Sequence, residues 1–277
     1  TNGSITKIEF FDSFTKLGET NNPVQSSEFS VQSSAFTLSS GGFHHLTAVA
    51  TDNHGERAAS AAVVIRVLSP PTVKLVAPPG GSVFAPGAEI ELKADAIDAD
   101  GSVTNVTFVL GSQFTVLGSD GAAPYQINWT GTNSGVYDLR AVAFDNDGLS
   151  ATSAVVSVTI NTPPTVELVV PPSGGVFSPG GPVTITAQAT DPDSGGSITK
   201  IEFFANNQLL TTLQYSNTPS LQASFTWDNG AVAPVAAGRY TLTARATDDL
   251  GGKTTSAGRA IHVTQAPVVT ILVPPSN

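Results

Sequence analysis

An internal repeat constrains this chain more than any other feature. Pro70-Pro71-Thr72-Val73-Lys74-Leu75 is matched by Pro163-Pro164-Thr165-Val166-Glu167-Leu168, and Ala266-Pro267-Val268-Val269-Thr270-Ile271 matches both. The spacing is 93 residues and then 103. Each segment runs into a second proline pair: Pro78-Pro79, Pro171-Pro172 and Pro274-Pro275. Other landmarks keep the same order. Phe84-Ala85-Pro86-Gly87 answers Phe177-Ser178-Pro179-Gly180, and Asp98-Ala99-Asp100-Gly101 answers Asp191-Pro192-Asp193-Ser194. The chain opens inside a repeat, because Gly3-Ser4-Ile5-Thr6-Lys7-Ile8-Glu9-Phe10-Phe11 nearly copies the run from Gly196 to Phe204. The fold unit must therefore be complete in about 100 residues. Four segments are expected: 1–69, truncated at its N-terminus; 70–162; 163–265; and 266–277, the first strand of a further unit. The 277 residues are expected to be an internal or processed piece of a longer protein.

Within a repeat, short runs alternate apolar and polar residues between Gly, Pro, Asp and Asn, which is the chemistry of strands and turns. Ile90, Leu92, Ala94 and Ala96 fall on one face of a strand, and Glu91, Lys93 and Asp95 on the other. Tyr137, Leu139, Ala141 and Ala143 form a second inward set. Val106 with Phe108, Ile127 with Trp129, and Val156 with Val158 and Ile160 supply three more. No segment keeps a helical period. About seven strands in about 100 residues predicts an all-β chain of tandem β-sandwiches.

Composition narrows the functional classes. There is no cysteine and no methionine, so disulfides, thiolate chemistry and oxidation-prone sulfur are all excluded, as suits life outside the cell. The net charge of −10 repels phosphates, which speaks against nucleic acid and anionic lipid. No apolar run approaches the roughly 20 residues of a membrane helix, so this segment is not expected to insert.

The sequence resembles the bacterial Ig-like (Big) domain family. The resemblance rests on Pro70 to Leu75, the Phe84 to Gly87 turn, Ala94 to Gly101, Val106 to Phe108, Pro124 to Trp129 and Gly135 to Gly148. It implies tandem immunoglobulin-like β-sandwiches. It also implies a setting in surface adhesins, in filaments or beside secreted polysaccharide-degrading enzymes. The third repeat departs from the pattern at Gln214 to Pro219 and Gly230 to Ala237, and the first has His44 where the others have Tyr137 and Tyr240.

Few residues carry candidate chemistry. An Ig topology gathers the loop aspartates Asp98, Asp100, Asp145 and Asp147 at one pole, and Asp191, Asp193, Asp248 and Asp249 at the next. Crowded carboxylates suit a hard cation, so these eight are candidate calcium ligands. The competing reading is turn chemistry, in which Asp side chains cap backbone groups. Phe11 and Phe204 follow core-facing Phe10 and Phe203, so alternation turns them outward as candidate interface residues. Phe84 and Phe177, placed at equivalent positions in the loop after the first strand, and Trp129 and Trp227 are read as core plugs. The paired Pro70-Pro71 and Pro163-Pro164 stiffen their linkers. No nucleophile elbow, zinc-protease helix or phosphate loop is present, and the chain is read as having no catalytic residues. The expected role is a structural repeat segment of an extracellular bacterial surface stalk, fibre or filament, a rigid spacer whose partners are copies of itself. The alternative is an adhesin, or a carbohydrate-binding accessory module of a secreted polysaccharide-degrading enzyme, with surface glycans as partners.

Overall fold

The computed structural model describes residues 4–21, 35–38, 40–228, 235–265, 267 and 269. All regular structure among them is β. The fourth expected segment, 266–277, lies almost wholly outside the described residues.

The first repeat contributes β1 (Ile5–Asp12), β2 (Thr15–Asn21), β3 (Gly42–Asp52), β4 (Arg57–Ala59) and β5 (Val63–Val67). They form one antiparallel sheet in the order β2-β1-β3-β4, with β5 also pairing β3. The second contributes β6 (Thr72–Ala77), β7 (Val83–Phe84), β8 (Glu89–Ile97), β9 (Val103–Leu110), β10 (Thr115–Asp120), β11 (Tyr125–Thr130), β12 (Gly135–Asp145), β13 (Ser150–Thr152) and β14 (Val156–Ile160). Its sheets are β11-β8-β6 and β10-β9-β12-β14-β7, with β13 beside β12. The third contributes β15 (Thr165–Val170), β16 (Gly175–Phe177), β17 (Val183–Thr190), β18 (Ile198–Ala205), β19 (Gln208–Thr218), β20 (Ser220–Trp227), β21 (Gly238–Asp248), β22 (Lys253–Thr255) and β23 (Arg259–Val263). Its sheets, β15-β17-β20 and β16-β23-β21-β18-β19, repeat the same order. Three strands facing a longer sheet is the Ig sandwich plan. By compactness the chain separates into two units, Thr1–Pro79 with Glu91–Trp129 and Asp138–Val156, and Gly80–Ile90 with Thr130–Tyr137 and Ser157–Asn277. That boundary passes through the middle repeat, while among the described residues no sheet spans 69/70 or 162/163.

Alternation places the cores. Ile90, Leu92 and Ala94 are buried along β8, and Glu91 and Asp95 are exposed. Val106, Phe108, Leu139, Ala141, Ala143, Val158 and Ile160 have no solvent exposure. The third repeat buries Val183, Ile185, Ile201, Phe203, Leu242, Ile261 and Trp227 in one cluster, with Phe177 packed against it. Each such Val, Leu, Ile or Phe side chain stabilises its sandwich by about 1.5–3 kcal/mol, which is how a domain of this size holds together without disulfides.

Three details differ from the sequence reading. Phe84 and Phe177 are not in loops: β7 pairs in parallel with β14 (Ile160 opposite Phe84), and β16 with β23 (Val263 opposite Phe177). A crossing of the first strand from one sheet to the other creates this short extra strand, which alternation alone does not reveal. On β11 the buried residue is Tyr125, while Ile127 and Trp129 are half-buried. Phe10, expected in the core, is half-buried beside a register shift at Phe10/Phe11.

Candidate functional site

The two acidic poles are built from turns first. Asp145 Oδ1 accepts the N–H groups of Asp147 and Leu149, both at 2.8 Å. Asp248 Oδ1 accepts those of Leu250 and Gly252 at 3.0 and 2.6 Å. Asp191 Oδ1 accepts the Asp193 N–H at 3.0 Å. The turn reading is therefore correct for one oxygen of these carboxylates.

The second oxygens have a different fate. Asp98 Oδ2, Asp100 Oδ2, Asp145 Oδ2, Asp191 Oδ2 and Asp193 Oδ1 are buried with no hydrogen-bond partner. Burial, and then the charges of Asp248, Asp193 and Asp249, push the Asp191 carboxyl above its ordinary pKa. Glycines close around these oxygens. A Cβ on Gly101 would stand 2.7 Å from Asp98 Oδ2, and one on Gly196 2.5 Å from Asp191 Oδ2.

Linker groups complete each pole. Asp100 Oδ1 accepts the Ser69 N–H at 3.1 Å, and Asp193 Oδ2 accepts the Thr162 N–H at 2.9 Å. Asn161, buried, donates its amide to Asp248 Oδ2 at 2.9 Å. Arg66 forks onto Asp147 at 2.7 and 2.5 Å and donates to the Asp100 carbonyl at 3.2 Å. That pairing with Asp147, chiefly, holds the guanidinium pKa up. Asp249 is exposed and accepts the Ser197 N–H at 3.1 Å.

Of the eight aspartates singled out from the sequence, the structure thus gives six a buried carboxylate oxygen left free or bonded to the linker. Asp147 and Asp249 sit apart from that role. As they stand, no three His, Cys, Asp or Glu side chains among the described residues are gathered tightly enough to hold a metal ion.

The other expectations resolve as follows. Phe11 and Phe204 are half-buried and do not project freely. Phe204 lies beneath the Arg245 guanidinium, 5.1 Å from the ring centre. His44 is buried, and its Nε2 faces the Ser40 carbonyl at 2.9 Å, four residues back. Tyr137 and Tyr240 donate their hydroxyls to the carbonyls four residues back, at Asn133 and Ala236. His44 therefore replaces the tyrosine corner in kind. Its Nδ1 meets Asp12 Oδ2 at 2.5 Å, a carboxylate that raises the histidine pKa.

Sequence reasoning missed a serine. Ser60, Ser153 and Ser256 accept the N–H groups of Ala48, Ala141 and Ala244, each at 3.0 Å, and donate to the following carbonyl. The signal was present as Ser60-Ala61, Ser153-Ala154 and Ser256-Ala257 at the repeat spacing. Arg66 and Asn161 were also missed, because neither recurs: their counterparts are Thr159 and Leu68.

Comparison with known proteins agrees with this architecture. The family model described as bacterial Ig domain matches residues 71–158 and 164–252. The chain therefore belongs to the bacterial Ig domain family, as a tandem array of its sandwiches. It is similar to the fibronectin(III)-like modules of Clostridium thermocellum CbhA, with 28% identity over 73% of this chain and 99% of that one, at a TM-score of 0.41. It is also similar to an I-band fragment of titin, with 14% identity over 95% and 93% of the chains and a TM-score of 0.43. The three N-terminal domains of the bacteriophage RB49 outer capsid protein Hoc share 11% identity over 95% and 89%, again at 0.43. No curated protein matched the chain. Among the described residues, no helix is long and apolar enough to cross a membrane.

Proposed function

We propose that this chain is a structural spacer, a segment of an extracellular bacterial surface stalk, fibre or filament, whose partners are copies of itself. The proposal includes domain boundaries at 69/70 and 162/163. The observation that carries it is the tethering of both linkers. Only residues 68–71 separate β5 from β6, and only 161–164 separate β14 from β15. Each linker holds two prolines, and each has a backbone N–H fixed on a loop carboxylate, Ser69 on Asp100 and Thr162 on Asp193. Fixed φ angles plus a part-buried hydrogen bond leave a linker little freedom to hinge.

The glycan-binding reading needs an open aromatic platform. Trp227 is buried and Phe204 is half-buried beneath Arg245; the exposed rings of Phe43 and Phe114 each carry an arginine, Arg66 and Arg140, and Phe14 is exposed in the turn between β1 and β2. These contacts favour the spacer. Small-angle scattering of the chain tests the choice. An extended profile is expected, and a profile averaged over many bent forms would overturn the spacer reading.

A further inference from the structure

Five buried carboxylate oxygens lack a hydrogen-bond donor, and they come from equivalent positions. Asp98 and Asp191 open one loop of each pole, Asp100 and Asp193 follow two residues later, and Asp145 begins the facing loop. Its counterpart Asp248 differs in that Asn161 donates to its Oδ2. Asp145 and Asp191 are 5% and 6% exposed, and the Asp100 side chain 1%. A buried charged oxygen is costly unless a donor or cation faces it.

The residues nearby do not supply one. The backbone N–H groups are spent on the partner oxygens. Among the described residues, no Lys, Arg or His forms an ion pair with Asp191, Asp193, Asp248 or Asp249, or with Asp98 or Asp145. Neither loop pair contains His or Cys, so the donor set is oxygen alone. Anionic oxygens on glycine-bearing loops suit Ca²⁺, which accepts irregular oxygen cages at 2.3–2.6 Å. Mg²⁺ demands a tighter octahedron and keeps its water.

We propose that each pole takes one calcium-class divalent cation, held by Asp98, Asp100 and Asp145 at the first and by Asp191, Asp193 and Asp248 at the second. Asp147 and Asp249 are not ligands. The three carboxylates of a pole are not gathered into a ready cage among the described residues, so the proposal requires binding to draw its loops together. Asp100 and Asp193 also hold the linker N–H groups, so each cation would share a carboxylate with its linker.

The poles are not equal. At the first, the Arg66 guanidinium stands 4.0 Å from Asp100 Oδ2 and opposes a second cation. At the second, the equivalent residue is uncharged Thr159, which lines a cavity of about 180 Å³ beside Asp193, Gly196 and Asp249. Asn161 adds a further oxygen there once its amide turns over, a choice that the hydrogen-bond partner dictates. The second site is therefore the tighter one.

Calorimetric titration of the whole chain with CaCl₂ in chelator-treated buffer tests this, with MgCl₂ as comparator. Two calcium sites are expected, with Kd values of about 10⁻⁴–10⁻³ M, typical of extracellular modules. Asp191→Asn should abolish the tighter site, Asp98→Asn the weaker, and Asp249→Asn neither. At calcium about 100-fold above Kd, the folding constant of a bound repeat rises about 100-fold. Asp191→Asn should remove that rise for the third repeat while leaving it at least as stable as wild type in chelator, since a repelling charge is gone. Should that variant fail to fold, Asn161→Leu, which copies Leu68, decides: it should weaken the second site about tenfold and spare the first. Absence of calcium binding, retention of both sites in the aspartate variants, or loss of a site in Asp249→Asn would overturn the proposal. Stoichiometry is independent of linker stiffness, so this result and the spacer reading stand or fall separately.

Discussion

Replacing Ser153 by Ala removes one oxygen and isolates one backbone donor. Ser153 is 6% exposed, and the Ala141 N–H it receives belongs to a residue with no exposure. The Ala154 carbonyl it donates to lies on an exposed residue and can turn to water. The loss is therefore one buried, unpaired N–H, which costs about 1–3 kcal/mol. Ser256→Ala should cost the same, because Ala244 is equally buried. Ser60→Ala is the internal control. Its partner Ala48 is only half-buried and Ser60 itself is exposed, so water can replace the hydroxyl, and a change within about 0.5 kcal/mol is expected. The assay is urea unfolding, followed by tryptophan fluorescence for the second and third repeats and by the His44 ring resonances in NMR for the first, which has no tryptophan. The chain has two tryptophans, Trp129 in the middle repeat and Trp227 in the next, and replacing either by Phe leaves a single reporter, in the other repeat. In a domain of about 100 residues, each kcal/mol lost lowers Tm by about 4–8 °C. A Ser153→Ala penalty no larger than that of Ser60→Ala would refute the reasoning, since burial is the only difference it invokes.

Three further outcomes follow from the packing and the charges. Phe203→Ala should destabilise the third repeat by about 3–5 kcal/mol, because the ring has no exposure and packs on Phe225 at 6.3 Å; denaturant midpoints from Trp227 check this. The Asp12 carboxylate raises the folded pKa of His44 above 6.5, and the His44 bond, first, lowers that of Asp12 below 3.8. The His44 contribution is thus complete below pH 6.5 and lost as pH rises through its folded pKa; the Asp12 contribution is complete above 3.8 and lost as pH falls through its own. An NMR titration of the His44 ring should show a midpoint above 6.5, and His44→Tyr should remove the alkaline loss while keeping the corner bond. Arg66→Ala should change stability little, because the pair with Asp147 is partly solvated; a double-mutant cycle with Asp147→Ala measures the coupling.

The sandwich was legible because its determinants are periodic. Ile90, Leu92 and Ala94 alternate with Glu91, Lys93 and Asp95, and a period of two admits only one assignment of faces. The poles were legible for the same reason, since Asp98, Asp100 and Asp145 recur as Asp191, Asp193 and Asp248 once the repeat is aligned. What escaped was whatever depends on a single repeat or on the third dimension. Arg66 and Asn161 read as ordinary strand-end residues until the linker folds them onto a neighbouring loop. Phe84 and Phe177 looked like loop residues because the crossing between sheets has no sequence period. Phe204 was expected to face outward, and it does leave the core, but Arg245 from β21 covers it, a cross-strand contact that alternation along β18 cannot show.

The central claim is that the linkers hold neighbouring sandwiches in fixed relation. The chain has no cysteine, so a pair of introduced cysteines on either side of Thr162 can carry spin labels without background. Pulsed dipolar spectroscopy then reads the distribution of distances across that linker. The tethered linker predicts one narrow distribution, broadened when Asp193→Ala removes the acceptor of the Thr162 N–H. A broad distribution in the unmodified linker, unchanged by that substitution, would contradict it.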